Sequence, residues 1–499
     1  MKSNFDRLQL NSEETIPFHR NVWKVTREPS YTMAKQKGKL ILVTAMTPTK
    51  SGEGKTTSVI ALTDALNRLG RTAMATLRQA SLGPVFGMKG GAGGGGLASL
   101  VPDELINFGL TGDFSKVEAA NNLLVALTEN HIYQESQPLL NAKQLLLPRC
   151  LDVNDRSLRT FFTKNGERKF VITAASEVMA ILSLARDHRE LEQMVGDIYV
   201  AQSQAQSEMR SVDLHFHKAA SALLHDALYP NLVTTLEGNP VFLHTGPFAN
   251  IAQGTCSIRS TALALELADY VVTEAGFGAD LGAQKFFDIK CQRGNFSVAA
   301  SVLVVTTKAL VEHGIENALL HLENLKKYGT PVLVLLNRFQ TDYDQELSDW
   351  KNLFQQNGYE CEICDGFARG SEGAFAAAEK ILTLAKSTHI NSIIPKICSS
   401  KEKIEKIAME IYQAKSVEWS PQAMEKMRAW GERYQHFSVV MAKTPLSLSD
   451  NPKLKGVPRE HILHVRDLEI KNGARFVIAL AGKVELMPGL PKRPRALDY

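Results

Sequence analysis

Eleven consecutive residues, Thr47-Pro48-Thr49-Lys50-Ser51-Gly52-Glu53-Gly54-Lys55-Thr56-Thr57, combine two glycines, hydroxyl side chains and a lysine at a spacing suited to gripping phosphate. Glycines let successive N–H groups turn toward phosphate oxygens, and a helix opening where the loop ends adds the positive end of its dipole. Lys55 is placed to reach the β- and γ-phosphates of a nucleoside triphosphate, and Thr56 to hold Mg2+. Thr49, Gly52, Glu53, Gly54 and Thr57 complete the expected nucleotide-binding set. The loop departs from the usual pattern at its start, where Thr49 stands six residues before Lys55 in place of a glycine.

Such a loop works only between a strand and a helix. The apolar run Leu40–Val43 supplies the strand, and Val59, Leu62, Leu66 and Leu69 fall on one helical face, with Gly70 where a C-terminal cap belongs. Further β-branched runs recur with helical segments between them, at Phe170–Thr173, Ile198–Ala201, Val241–His244, Tyr270–Thr273, Val302–Thr306 and Val332–Leu336. This alternation predicts an α/β fold like that of phosphate-loop NTPases: a mostly parallel sheet flanked by helices, with ligands at the C-terminal strand ends. Arg78, Glu274–Gly278 and Asn337-Arg338-Phe339 follow such ends. The tract Gly90-Gly91-Ala92-Gly93-Gly94-Gly95-Gly96 reads either as a hinge or as backbone that must approach a neighbour closely. Past Pro395 a charged helix, Lys401–Gln413, and short strands such as Phe476–Leu480 suggest a separate small domain.

The 499 residues, 44% hydrophobic and 22% charged, exceed what one core usually supports, so two or three domains are expected. A net charge of +4 without a dense basic run argues against nucleic-acid and membrane-surface partners and leaves acidic small molecules as ligands. No stretch approaches a membrane span and Met1–Leu10 lacks the apolar core of a secretory signal, so a cytoplasmic location is expected. The six scattered cysteines suit a reducing compartment, and the lone Cys361/Cys364 pair reads as small buried thiols rather than a zinc or redox motif.

The loop joined to Leu77–Gly87, Asn154-Asp155-Arg156, Thr235–Gly238, Gly246–Ala252, Glu274–Asp280, Lys285–Cys291 and Met487–Pro491 resembles the formate–tetrahydrofolate ligase family, in family order along nearly the whole chain. The resemblance implies that ATP, formate and tetrahydrofolate give ADP, phosphate and 10-formyltetrahydrofolate through formyl phosphate. It also implies Mg2+, a stimulating monovalent cation (K+ or NH4+), and a homotetramer. Three domains are expected: residues 1–315 with the nucleotide loop, and 316–395 and 396–499 framing the folate cleft. By family position Arg78 grips formate and then formyl phosphate, its planar fork suiting oxygen anions. Asn337 joins the binding set, Phe277, Phe339 and Phe367 line the pterin slot, and Asp113 belongs with the cation.

Departures from the family pattern cluster near that site. Gln79 replaces a glutamate, Gly109, Ser115 and Gln253 replace histidines, Lys443-Thr444-Pro445-Leu446-Ser447 replaces Lys-Thr-Gln-Tyr-Ser, and a loop of some two dozen residues is missing after His313-Gly314. Losing a carboxylate at Gln79 should weaken cation binding. Two readings follow: a working ligase with altered kinetics or cation demand, or a paralogue with weak or different activity. A third class, a nucleotide-switched partner-binding ATPase, finds support in Lys50, five residues before Lys55. A guanine-specific reading is weaker, because Asn337-Arg338-Phe339-Gln340 lacks the acidic fourth residue.

Overall fold

The computed structural model describes residues 7–32, 36–87, 93–386, 390–395, 397–482 and 484–498. Its centre is a sheet built from β1 (Thr15–His19), β2 (Val22–Val25), β3 (Lys39–Ala45), β4 (Ala73–Leu77), β5 (Gly94–Gly95), β6 (Ala98–Val101), β7 (Asn231–Thr235), β8 (Pro240–Leu243), β9 (Tyr270–Glu274), β10 (Ala300–Val305), β11 (Val332–Asn337) and β12 (Glu360–Cys364). The strand order is β1-β2-β7-β8-β4-β9-β3-β10-β11-β12, with β6 pairing on β7 and β5 on β6. From β8 to β12 every neighbouring pair is parallel, while β1, β2, β6 and β7 join antiparallel at one side. Strands such as β4, β9 and β10 are buried along their whole length, which is why they read as unbroken apolar runs rather than as alternation.

After β3 the chain crosses by α1 (Lys55–Arg68) to β4, while β10, β11 and β12 add on the other side of β3. The strand order thus reverses beside the loop, the place where open parallel sheets bind ligands. Helix α1 is more enclosed than its one apolar face suggests: Ser58–Leu66 are all buried. Its outer side is covered by α3 (Gly366–Arg369) and α4 (Phe375–Leu384), numbered after α2 (Asp113–Tyr133). Gly366 is needed for this fit, since a β-carbon there would stand 2.6 Å from that of Ala61.

Of the glycine tract, Gly90, Gly91 and Ala92 lie outside the described residues. Gly93–Gly96 serve close approach: the Leu97 N–H donates to the Phe367 carbonyl at 2.9 Å, and a β-carbon on Gly96 would collide with that oxygen. Cys361 and Cys364 lie three apart on β12, hence on opposite faces, in two different core clusters. Burial pushes both thiols up to about 12, and their placement on opposite faces suits neither a shared metal nor a disulfide.

The boundary expected at 315/316 falls inside the central sheet, because β11 and β12 extend it beyond β10. Patterning marks an apolar run as a strand without saying which sheet it joins. Beyond it lies a second, mixed sheet of β13 (Ser416–Trp419), β14 (Ser438–Ala442), β15 (Ile462–Lys471) and β16 (Phe476–Ala481), in the order β13-β15-β16-β14. Its core, including Ile404, Tyr412, Met441 and Leu463, also takes in Leu281 from the segment after β9. Among the described residues no helix is long and apolar enough to cross a membrane.

Candidate active site

The loop between β3 and α1 is fixed from below before it meets any ligand. Thr47 is held by Asn317 in both directions, at 3.2 and 3.0 Å, and its hydroxyl lies 3.0 Å from His321 Nε2. The buried Glu53 carboxylate accepts from the Thr49 N–H at 2.6 Å and from the Thr306 hydroxyl at 2.5 Å. Glu53 is therefore an internal brace of the loop, and Asn337, at the end of β11, donates to its carbonyl at 3.1 Å. Gly52 and Gly54 take φ of +82° and +72°, and a β-carbon at Gly54 would collide with the Asn337 side-chain nitrogen. These positions need glycine because L side chains rarely adopt the left-handed region. Lys50 is exposed at the loop's outer edge.

Lys55 opens α1 and Thr56 follows in its first turn. Burial pushes the Lys55 ammonium below its ordinary value, Glu274 and Glu53 pull it back, and Arg78 adds to the depression. That is the environment of a cation waiting for anionic oxygens. Arg78, the residue after β4, faces the same place: its guanidinium stands 3.5 Å from Glu274 Oε1 and 3.5 Å from the Pro247 carbonyl. Its buried Nε has no hydrogen-bond partner, so the fork keeps a donor for an incoming carboxylate or phosphate.

Glu274 joins these two halves. Strand β9 runs between β4 and β3, so its last residue emerges midway between Arg78 and the loop. One carboxylate oxygen accepts from the Thr56 hydroxyl at 2.8 Å while the other meets Arg78. The sequence marked Glu274 as part of a ligand-facing strand end but gave it no role. Its signal, an acid closing an apolar strand, acquires meaning only from which strands flank it. A threonine hydroxyl and one carboxylate are hard oxygen donors of the kind Mg2+ takes alongside phosphate and water, so this pair fits the ion.

Phe277 follows Glu274 closely, with φ +60°, and packs half-buried against the core of the second sheet. A non-glycine residue held there is an outlier of the sort that clusters at functional sites. Phe339 and Phe367 follow the C-terminal ends of β11 and β12, 41% and 47% exposed, with the Phe367 ring lying against Gly95 and Gly96. Asp280 anchors the Phe277 segment by a fully buried ion pair with Lys443 at 2.8 Å, and Lys443 also donates to the Ser447 carbonyl. The segment around Lys443 therefore straps the second sheet to the site.

The residues that depart from the family pattern are dispersed. Gln253 is buried and donates to Ser183; Gly109 sits in a turn with φ +116°; Ser115 is exposed on α2. Gln79 alone adjoins Arg78 directly, and its side chain turns to Asp113, expected as a metal ligand. Asp113 accepts N–H donors on both oxygens: Lys24 at 2.7 Å, Gln79 at 2.5 Å and Asn231 at 2.7 Å.

A profile of the formate–tetrahydrofolate ligase family matches residues 2–499. The chain belongs to this family. A formate–tetrahydrofolate ligase of Maricaulis maris is 44% identical to it over 522 residues, covering 99% of this chain and 94% of the relative. One from Sphingobium sp. is 44% identical with 92% and 88% covered, and one from Rhizobium etli 42% identical with 98% and 93% covered. The first alignment is longer than this chain, so that formate–tetrahydrofolate ligase carries residues this one lacks.

Proposed function

We propose that this ligase activates formate by phosphoryl transfer and passes the formyl group to tetrahydrofolate at the junction of Lys55, Thr56, Arg78 and Glu274. Formate is a poor electrophile until one oxygen becomes a good leaving group. A formate oxygen attacks the γ-phosphorus of ATP, the bond to the β-phosphate oxygen breaks, and ADP leaves. Lys55 neutralises charge on the β- and γ-phosphates, and Arg78 orients formate and stabilises the formyl phosphate, because phosphoryl transfer is governed by positioning and charge. Mg2+, held by Thr56 and Glu274, would supply further charge neutralisation there. The N10 amine of tetrahydrofolate then attacks the formyl carbon, the C–O bond to phosphate breaks, and the amine proton is released. Phe277, Phe339 and Phe367 offer flat faces for the pterin.

The observation that carries this reading is the Thr56–Glu274–Arg78 chain, which ties the nucleotide loop to the formate-gripping arginine through one carboxylate. Action in the cytoplasm as a homotetramer on these small molecules completes the proposal. Its test uses ATP and formate without folate, with hydroxylamine present. An acyl phosphate is trapped as formohydroxamate, and wild type should produce it while Arg78→Ala should not. Equal ADP formation with no hydroxamate from wild type would contradict an acyl phosphate step.

A further inference from the structure

The cluster under Arg78 is closed and electrically balanced. Lys24 projects from β2, directly across the β2/β7 pairing from Asn231; Asp113 opens α2; Gln79 follows Arg78. Lys24, 5% exposed, donates to Asp113 Oδ1 at 2.7 Å and to the Tyr229 carbonyl at 3.3 Å. Gln79 and Asn231 direct their amide N–H groups at the other carboxylate oxygen. A K+ or NH4+ ion arriving here would face N–H donors from three side chains, where it needs anionic or carbonyl oxygens.

The neighbouring groups add no charge to attract one. His244 is kept neutral, burial pushing it down to about 4, and it is engaged with Ser257 and the Ala227 carbonyl. One carboxylate meets one ammonium, and the neutral Gln79 leaves no surplus of negative charge.

We infer that Lys24 is a tethered replacement for a free monovalent cation: its ammonium neutralises Asp113, fixes Gln79 and thereby Arg78, and makes turnover indifferent to K+ and NH4+. The inference rests on the ligase reading for its kinetic arm alone. A lysine ammonium carries the same charge as NH4+ and three of its four N–H donors, and the tether removes the entropic penalty of capturing the ion. Lys24 is a positioning residue, acting on formate through Gln79 and Arg78.

Formate-dependent ADP release and substrate-free melting temperature are to be measured in K+, NH4+ and tetramethylammonium at one ionic strength. Wild type should show the same rate and the same melting temperature in all three. Gln79→Glu adds a negative charge at nearly constant volume, so its melting temperature should rise selectively in K+ or NH4+, with a rate gain of roughly tenfold over tetramethylammonium. Lys24→Ala, where it folds, should lose activity in tetramethylammonium and regain part of it in NH4+. A wild-type rate or melting temperature that climbs in K+ or NH4+ would overturn the inference, as would a Gln79→Glu protein indifferent to the ion. Absent turnover in every salt would count against the ligase reading, while the melting curves would still decide the role of Lys24.

Discussion

Glu274 is the residue on which the two halves of the site depend, and its substitution separates geometry from bulk charge. Glu274→Gln keeps the side-chain volume and one oxygen toward Thr56, but removes the charge that faces Arg78 and Mg2+. Loss of one positioned charged group at a phosphoryl-transfer site costs roughly 10²-fold in kcat/KM. That loss should come with a raised Mg2+ requirement, read from Mg2+ titrations of ADP release; an unchanged Mg2+ dependence would make Glu274 a brace for Arg78 only. Lys55→Ala should abolish MgATP binding, measured calorimetrically, with the far-ultraviolet spectrum unaltered, because its ammonium contributes to phosphate binding more than to packing. That Lys55 and Thr56 open a helix after the loop, and that Arg78 follows a strand, was legible in the sequence because those signals are local. Glu53 was read as a nucleotide contact, yet its carboxylate turns inward to Thr49 and Thr306, a direction set by β10 and invisible in spacing.

At the scale of elements, the strand–loop–helix unit was readable, and β9, β10 and β11 fall where the apolar runs placed them. Strand order was not readable, since each run is equally apolar and pairing is decided by crossovers that cover helices unequally. The enclosure of α1 by α3 and α4 and the joining of β11 and β12 to the central sheet both follow from that order. The loop itself supplies a prediction. Gly54→Ala forces a side chain into φ +72° and against Asn337, so stability should fall by about 1–3 kcal/mol in urea unfolding, and ATP affinity should fall with it. Wild-type ATP affinity in that variant would mean that the turn relaxes without disturbing the phosphate-facing N–H groups.

For the whole molecule, buried acids and histidines set opposing slopes of stability against pH. Asp64 on α1 accepts from Thr235 at 2.7 Å and Asn239 at 2.6 Å, but burial pushes its carboxyl up to about 7, and Asp152 is likewise raised to about 6. Each holds a proton in the folded state that the unfolded chain releases near the ordinary value of 3.8, so stability declines as pH rises from there toward neutrality. His244 and His321, pushed down to about 4 by burial, stay neutral when folded and lose stability as pH falls below 6.5. Asp64→Asn should therefore raise the melting temperature near pH 8 and give no such gain near pH 4. A gain independent of pH would locate the effect in packing rather than ionisation.

The nucleotide loop and the formate arginine share Glu274, so ATP cleavage should require formate, and turnover should continue only while tetrahydrofolate consumes the formyl phosphate. The direct measurement is steady-state ADP release with ATP, formate and tetrahydrofolate present, and then with each omitted in turn. Sustained release is expected with all three, and its collapse when any one is withheld. ATP hydrolysis that proceeds at the same rate without formate and folate would contradict this coupling and would point to a nucleotide-switched ATPase on the same fold.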